Sequence, residues 1–79
     1  MRTFHLIWNG VVLEYQPEPE GGYTVKVPSL PGCVTYGKTF EEALEMTQDA
    51  ISGWVEAARE EGVPIPEPFE ALATASSSG

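Results

Sequence analysis

The chain has 79 residues, which is enough for one small domain with a thin hydrophobic core. A hydrophobic content of 42% argues against wholesale disorder, and no apolar run approaches the roughly 20 residues of a membrane-spanning helix. Twelve acidic and four basic residues give a net charge of −8, which disfavours binding to nucleic acid or anionic membranes and favours a basic protein partner. With one cysteine and no secretory signal pattern, we expect a soluble cytoplasmic protein.

The first two predicted strands, residues 3–8 and 11–16, are joined by Asn9-Gly10. Asn-Gly is a preferred sequence for a two-residue type I′ turn, because both positions adopt positive φ. Such a turn also sets the register of the hairpin and therefore the face on which each side chain lies. The predicted pairs are Trp8 with Val11, Leu6 with Leu13 and Phe4 with Tyr15 on one face, and Ile7 with Val12, His5 with Glu14 and Thr3 with Gln16 on the other.

Two turns rich in proline and glycine flank a third predicted strand at residues 23–28. The first turn, residues 17–22, contains no apolar side chain. The second turn, residues 29–33, has Pro-Gly as its corner and ends at Cys33. For this cysteine a structural role as a small buried residue is favoured over a role as a nucleophile. Residues 34–36 are long enough for only a short fourth strand.

A long helix is predicted over residues 40–61. Thr39 and Glu42 have the spacing of a capping box at its start, and Gly62 suits a left-handed C-cap at its end. Gly53, in the middle of the helix, is expected to allow close approach of the sheet. The predicted buried stripe comprises Phe40, Leu44, Thr47, Ile51, Trp54 and Ala58, with Ala43, Ala50 and Val55 alongside. The opposite, acidic side carries Glu41, Glu45, Asp49, Glu56 and Glu60.

Three prolines at positions 64, 66 and 68 predict an extended course after the helix. Ile65 or Phe69 is expected to touch apolar groups of the core. We therefore predict a single domain over residues 1–69 and a flexible tail over residues 70–79.

The predicted elements make a two-layer α+β fold, with one long helix on one face of a three- to four-stranded, mainly antiparallel sheet. No predicted element covers the second face of this sheet. Ile7 and Val12 lie on that face among polar side chains that include Lys26. A half-apolar exposed face indicates a contact with another protein or a homo-oligomer, either a dimer or a tetramer.

The segment from Gly22 to Leu44, GYTVKVPSLPGCVTYGKTFEEAL, resembles the HicB family of antitoxins. The family pattern is G-Y-x-V-x-x-P-x-L-P-G-C-x-T-x-G-x-T-x-E-E-A-L, and this chain matches nearly every defined position. The resemblance continues to Pro68 and covers roughly residues 11–68. It implies a partial RNase H-like fold and a non-enzymatic role in binding HicA, a small basic toxin that cuts mRNA. Full-length HicB antitoxins usually carry a C-terminal DNA-binding module, and the residues after Pro68 are too few for one, so we expect a short form without operon repression.

No catalytic residue, metal site or cofactor is predicted. The chain has one histidine, His5, which is expected to pair with Glu14 on the surface, and Cys33 is expected to be structural. The predicted partner-binding residues are Ile7, Val12 and Lys26 on the sheet, and Glu41, Glu45, Asp49 and Glu56 on the helix. A solvated surface is the alternative for the helical carboxylates, since charge runs on helices are usually just hydrated. Two other functions stay open: a solitary homo-oligomeric scaffold without a toxin, and a weak metal-dependent nuclease using Glu14 and Asp49.

Overall fold

Four strands and one helix account for the regular structure of residues 2–69, which are the residues that the computed structural model describes. The strands follow each other in one antiparallel sheet, in the order β1-β2-β3-β4, and the helix follows them. This is the α+β fold that the sequence predicts. The tail predicted over residues 70–79 lies outside the described residues. The elements are β1 (Phe4–Trp8), β2 (Val11–Pro17), β3 (Tyr23–Lys26), β4 (Val34–Gly37) and α1 (Phe40–Glu61).

The β1–β2 hairpin has the turn and register that Asn9-Gly10 predicts. The two turn residues have φ angles of 49° and 80°, as a type I′ turn requires. All the predicted pairs from Trp8 with Val11 to Phe4 with Tyr15 are present. Val11, Leu13 and Tyr15 consequently point into the core, where each is at most 2% exposed.

The loop between β3 and β4 is held by its own backbone. Three backbone hydrogen bonds link Val27, Leu30 and Cys33. The Val27 amide donates to Cys33 O at 3.1 Å, the Leu30 amide to Val27 O at 2.9 Å, and the Cys33 amide to Leu30 O at 3.0 Å. This compact shape turns Leu30 and Cys33 into the core. Burial raises the pKa of the Cys33 thiol above its ordinary value, which favours the unreactive protonated form and agrees with a structural role.

Both ends of α1 are capped as the sequence predicts. The Thr39 hydroxyl accepts a hydrogen bond from the Glu42 amide at 3.0 Å. The Glu42 carboxylate in turn accepts from the amide of Lys38 at 3.0 Å, one residue before the Thr39 amide that a regular capping box would use. At the other end Gly62 has a φ of 71°, the left-handed conformation expected of a C-cap glycine.

The buried side of α1 is rotated from the predicted stripe. Phe40 is 37% exposed, and Leu44 and Trp54 are half-buried at the border of the helix–sheet contact. Thr47 lies at the centre, where its hydroxyl donates to Ala43 O at 2.7 Å and shares a hydrogen bond with Thr35 Oγ1 at 2.9 Å. The buried residues of the helix are Ala43, Thr47, Ile51, Val55 and Ala58.

Close approach of the sheet to the helix occurs at Gly37 instead of Gly53, so that prediction was wrong. A side chain on Gly37 would collide with the backbone of Ala43 and would lie 2.8 Å from the carbonyl carbon of Glu42. Gly53 is exposed and has no other group near the place of a Cβ. The helix accordingly packs over β4 and β3. Its first turn reaches β2 through Phe40, whose ring stacks on Tyr15 at a centroid distance of 4.7 Å.

The segment after the helix returns to the core. Val63 N–H bonds to Ala58 O at 2.8 Å, and Phe69 N–H bonds to Pro66 O at 3.0 Å. Phe69 is 1% exposed and belongs to the core cluster, against which Ile65 also packs. The predicted apolar contact of Ile65 or Phe69 is therefore confirmed for both.

Candidate protein-binding surfaces

The side of the sheet that faces away from α1 has no covering element among residues 2–69. Successive side chains of a strand point to opposite faces of the sheet, so this side carries every second residue of each strand, and the residues between them point into the core. We call this surface the open face. It consists of His5 and Ile7 on β1, Val12, Glu14 and Gln16 on β2, Thr24 and Lys26 on β3, and Val34 and Tyr36 on β4.

Apolar groups of the open face lie in two patches, one shared by β1 and β2 and the other on β4. Ile7 is 66% exposed and Val12 is 41% exposed, and these two residues are paired across β1 and β2. Val34 and Tyr36, on β4 at the opposite edge, are 54% and 49% exposed. The sequence prediction included Ile7 and Val12 but not the two β4 residues, because the face of β4 depends on the conformation of the loop before it.

The middle of the open face is polar and almost neutral. His5 Nε2 lies 3.6 Å from Glu14 Oε1, which confirms the predicted surface pair. Glu14 is paired in register with Lys26 on its other side. A carboxylate, an ammonium group and an imidazole therefore share one row across three strands. The Thr24 hydroxyl donates to Glu18 Oε2 at 2.8 Å at the border of this face.

A second surface, the solvent side of α1, is strongly acidic. The helix has seven carboxylates and a single guanidinium, Arg59. Pairs of like charge spaced four residues apart destabilise a helix by about 0.2–0.5 kcal/mol each. Glu45 forms such a pair with Glu41 and another with Asp49. We call this surface the acidic face; it consists of the exposed residues Glu41, Glu45, Asp49, Glu56 and Glu60.

The predicted partner-binding residues thus form two separate groups. Ile7, Val12 and Lys26 lie on the open face, and the helical carboxylates lie on the acidic face on the other side of the molecule. A small rigid partner cannot contact both groups at once.

Glu14 and Asp49, the residues considered for a nuclease, are also on opposite sides of the two-layer fold and cannot ligate one metal ion. Within residues 2–69, no three histidine, cysteine, aspartate or glutamate side chains are grouped so that they could hold a metal. No helix in that part of the chain is both long and apolar enough to cross a membrane.

An aromatic cluster supports the sheet at the start of α1. It is centred on Tyr15, which is fully buried and whose hydroxyl donates to Phe40 O at 3.4 Å. Burial raises the pKa of this phenol above its ordinary value. Phe4 stacks on Tyr15 at 5.3 Å, and Tyr23 meets it edge-on at 5.8 Å. Phe4 on β1 and Phe40 in the first turn of the helix stack on each other and are both partly exposed at the border of this cluster.

A family model and individual proteins similar to this chain point to the same family. A family model described as "HicB_like antitoxin of bacterial toxin-antitoxin system" matches residues 10–78. A UPF0150 protein of Thermoplasma acidophilum is 43% identical over 49 residues, which cover 62% of this chain and 71% of that protein. Antitoxin HicB 1 of Photorhabdus laumondii is 45% identical over 53 residues, covering 67% of this chain and 34% of the antitoxin.

A third relative is Antitoxin HicB of Escherichia coli K12. It is 36% identical over 55 residues, which cover 67% of this chain and 40% of that antitoxin. The chain therefore aligns with well under half the length of these two antitoxins. No solved structure matches the chain.

Proposed function

Because the chain belongs to the HicB-like antitoxin family, we propose that it binds and neutralises a small basic HicA-type toxin that cleaves mRNA. Neutralisation is by masking: the bound chain covers the surface with which the toxin binds RNA. The role is non-enzymatic and needs no cofactor. Since mRNA is the target of the toxin, the complex forms in the cytoplasm.

The acidic face is the observation that carries this proposal. Its carboxylates are exposed, and those spaced four residues apart repel each other. This repulsion weakens the isolated helix, so helix stability alone does not account for the charge pattern. A surface that binds RNA must be positively charged, because RNA is a chain of phosphates. The acidic face is complementary to such a surface.

Charge would act mainly on the rate of encounter. Complementary fields steer two proteins together and raise the association rate by tenfold or more at low salt. Contacts within the interface then determine the lifetime of the complex. For those contacts the predicted residues are Glu41, Glu45, Asp49 and Glu56 on the acidic face. The residues Ile7, Val12 and Lys26 on the open face form the second candidate surface.

Two double variants test whether the acidic face binds the toxin. Glu45→Gln with Asp49→Asn removes two charges from this face, whereas Glu20→Gln with Glu67→Gln removes two exposed charges elsewhere. Both variants remove two negative charges and keep the shapes of the side chains. By surface plasmon resonance at low salt, we expect the first variant to bind a HicA-type toxin about tenfold more slowly and the second to change little. Equal rates for the two variants would rule out the acidic face as the toxin-binding surface.

A solitary homo-oligomeric scaffold is the alternative function. It predicts no stable complex with a HicA-type toxin at any salt concentration. Co-purification of the chain with a toxin encoded beside its gene separates the two functions, since a scaffold would elute alone.

A further inference from the structure

β1 has a free edge whose backbone groups can be assigned from the hydrogen bonds of the sheet. Val27 N–H bonds to Cys33 O, so the backbone N–H and C=O groups of the odd-numbered residues of β3 point toward β4. Residues of an antiparallel strand bond alternately to its two neighbours. The even-numbered residues of β3 therefore bond to the even-numbered residues of β2. The odd-numbered residues of β2 then bond to β1, where their partners are Phe4, Leu6 and Trp8. The N–H and C=O groups of His5 and Ile7 consequently point away from the sheet.

This edge lacks the features that normally prevent pairing with another strand. Edge strands are usually protected by lysine, proline, a bulge, short length or a covering element. β1 has five residues, Phe4–Trp8, and contains no lysine, proline or acidic residue. In residues 2–69 it pairs with β2 alone. By contrast, β4 has four residues, is followed at once by Lys38, and lies under α1.

Charge favours a second copy of this chain as the occupant of the edge. Two molecules with a net charge of −8 repel each other, so they can meet only where the surface is nearly neutral. Among residues 2–17 the side chains that can carry a charge near neutral pH are Arg2, His5 and Glu14, and the last two are paired with each other. Pairing through β1 places the two α1 helices at the far sides of the joint sheet. Pairing through β4 would bring both acidic faces together.

We propose that two copies of the chain form a two-fold symmetric dimer by antiparallel pairing of their β1 strands, which joins the two sheets into one. His5 of each copy then exchanges hydrogen bonds with Ile7 of the other, about four in total. Leu6 lies on the two-fold axis against Leu6 of the second copy. Phe4 lies opposite Trp8 of the second copy on the helix side, where both are incompletely buried in the single chain.

The family match begins at residue 10, so β1 precedes it. The dimer is independent of the proposed antitoxin function, since it requires no toxin and leaves the acidic face exposed.

Two lysine variants on opposite edges of the open face test the dimer. Ile7→Lys places a charge at the proposed contact, and Val34→Lys places the same charge on β4; both side chains are more than half exposed, so the fold should tolerate either. Sedimentation equilibrium from about 1 µM to about 1 mM covers weak and strong association. We expect the wild type and Val34→Lys to reach twice the 8.6 kDa mass of one chain, and Ile7→Lys to remain at 8.6 kDa.

Any other pattern overturns the proposal. A wild-type monomer over the whole range would show that the edge is covered or unused. Dissociation by Val34→Lys would place the contact on β4 or across the open face. Amide hydrogen exchange of the wild type provides a check that needs no variant: the amides of His5 and Ile7 should exchange slowly at high concentration. Rapid exchange of both under conditions where the protein is a dimer would exclude pairing through β1.

Discussion

Two glycines, Gly37 and Gly53, differ in their structural role, because only Gly37 lies at the contact between sheet and helix. Gly37 allows β4 to lie directly against the backbone at Ala43, where a methyl group has no room. Gly53 is on the exposed side of α1 and gives the helix backbone freedom without any packing benefit. The first glycine is required by the fold, and the second is replaceable.

Alanine at these two positions should change stability in opposite directions. We expect Gly37→Ala to lower the free energy of unfolding by about 1–3 kcal/mol, because backbone atoms must move to admit the methyl group. We expect Gly53→Ala to raise it by up to about 1 kcal/mol, because alanine is the better helix former. Urea unfolding followed by circular dichroism measures both. A neutral Gly37→Ala would contradict the close contact with Ala43.

The Cys33 thiol should make stability depend on pH in the alkaline range. Its pKa is raised by burial from an ordinary value of 9.0. Below about pH 9 the thiol is protonated in both states and does not affect stability. Above it the unfolded chain loses the proton first, so the free energy of unfolding falls as pH rises toward the folded pKa. In urea titrations between about pH 8 and pH 10, Cys33→Ala should show a smaller decrease than the wild type. Identical slopes would mean that the folded thiol is not shielded from water.

At the scale of single elements, local sequence predicted most of the structure. The Asn9-Gly10 turn determined the register of β1 with β2, and Thr39 with Glu42 determined the start of α1. These signals act over a few residues, so they can be recognised without knowledge of the rest of the fold.

Features that depend on distant contacts were not predicted. The rotation of α1 follows from the fit of Gly37 against Ala43 and from the hydrogen bond between Thr35 and Thr47. The exposure of Val34 follows from the compact shape of the loop over residues 28–33. In each case the partner is on another element, and a periodic pattern does not reveal which partner it is.

Removal of the helix N-cap should have a defined cost. Thr39→Ala deletes the hydroxyl that accepts from the Glu42 amide, and we expect a loss of about 1 kcal/mol. Thr39→Ser keeps this hydroxyl and serves as the matched control, with little change. Thermal or urea unfolding gives the comparison. Equal losses in the two variants would indicate that the methyl group, not the cap, is the important part of Thr39.

At the scale of the whole molecule, charge is strongly asymmetric. α1 carries seven carboxylates and one guanidinium, whereas the open face is nearly neutral. This separation gives the protein one surface suited to a basic partner and another suited to a neutral one. The antitoxin proposal uses the first surface and the dimer proposal uses the edge of the second.

Salt should stabilise the free protein because it screens repulsion along the acidic face. Raising NaCl from about 0.02 M to about 0.5 M shortens the screening length well below the size of the molecule. We expect the free energy of unfolding to rise by roughly 0.5–1.5 kcal/mol, the sum of a few repulsive helix pairs. The Glu45→Gln, Asp49→Asn variant should show a smaller rise than Glu20→Gln with Glu67→Gln. The same rise in both variants would place the repulsion elsewhere.

Inhibition of mRNA cleavage is the direct test of whether this chain neutralises a toxin. A purified HicA-type toxin is incubated with labelled mRNA and increasing amounts of the chain. We expect cleavage to stop near one chain per toxin at low salt, and the acidic-face double variant to require a larger excess when the incubation is short. Undiminished cleavage at a large excess of folded wild-type chain would contradict the proposed neutralisation of the toxin.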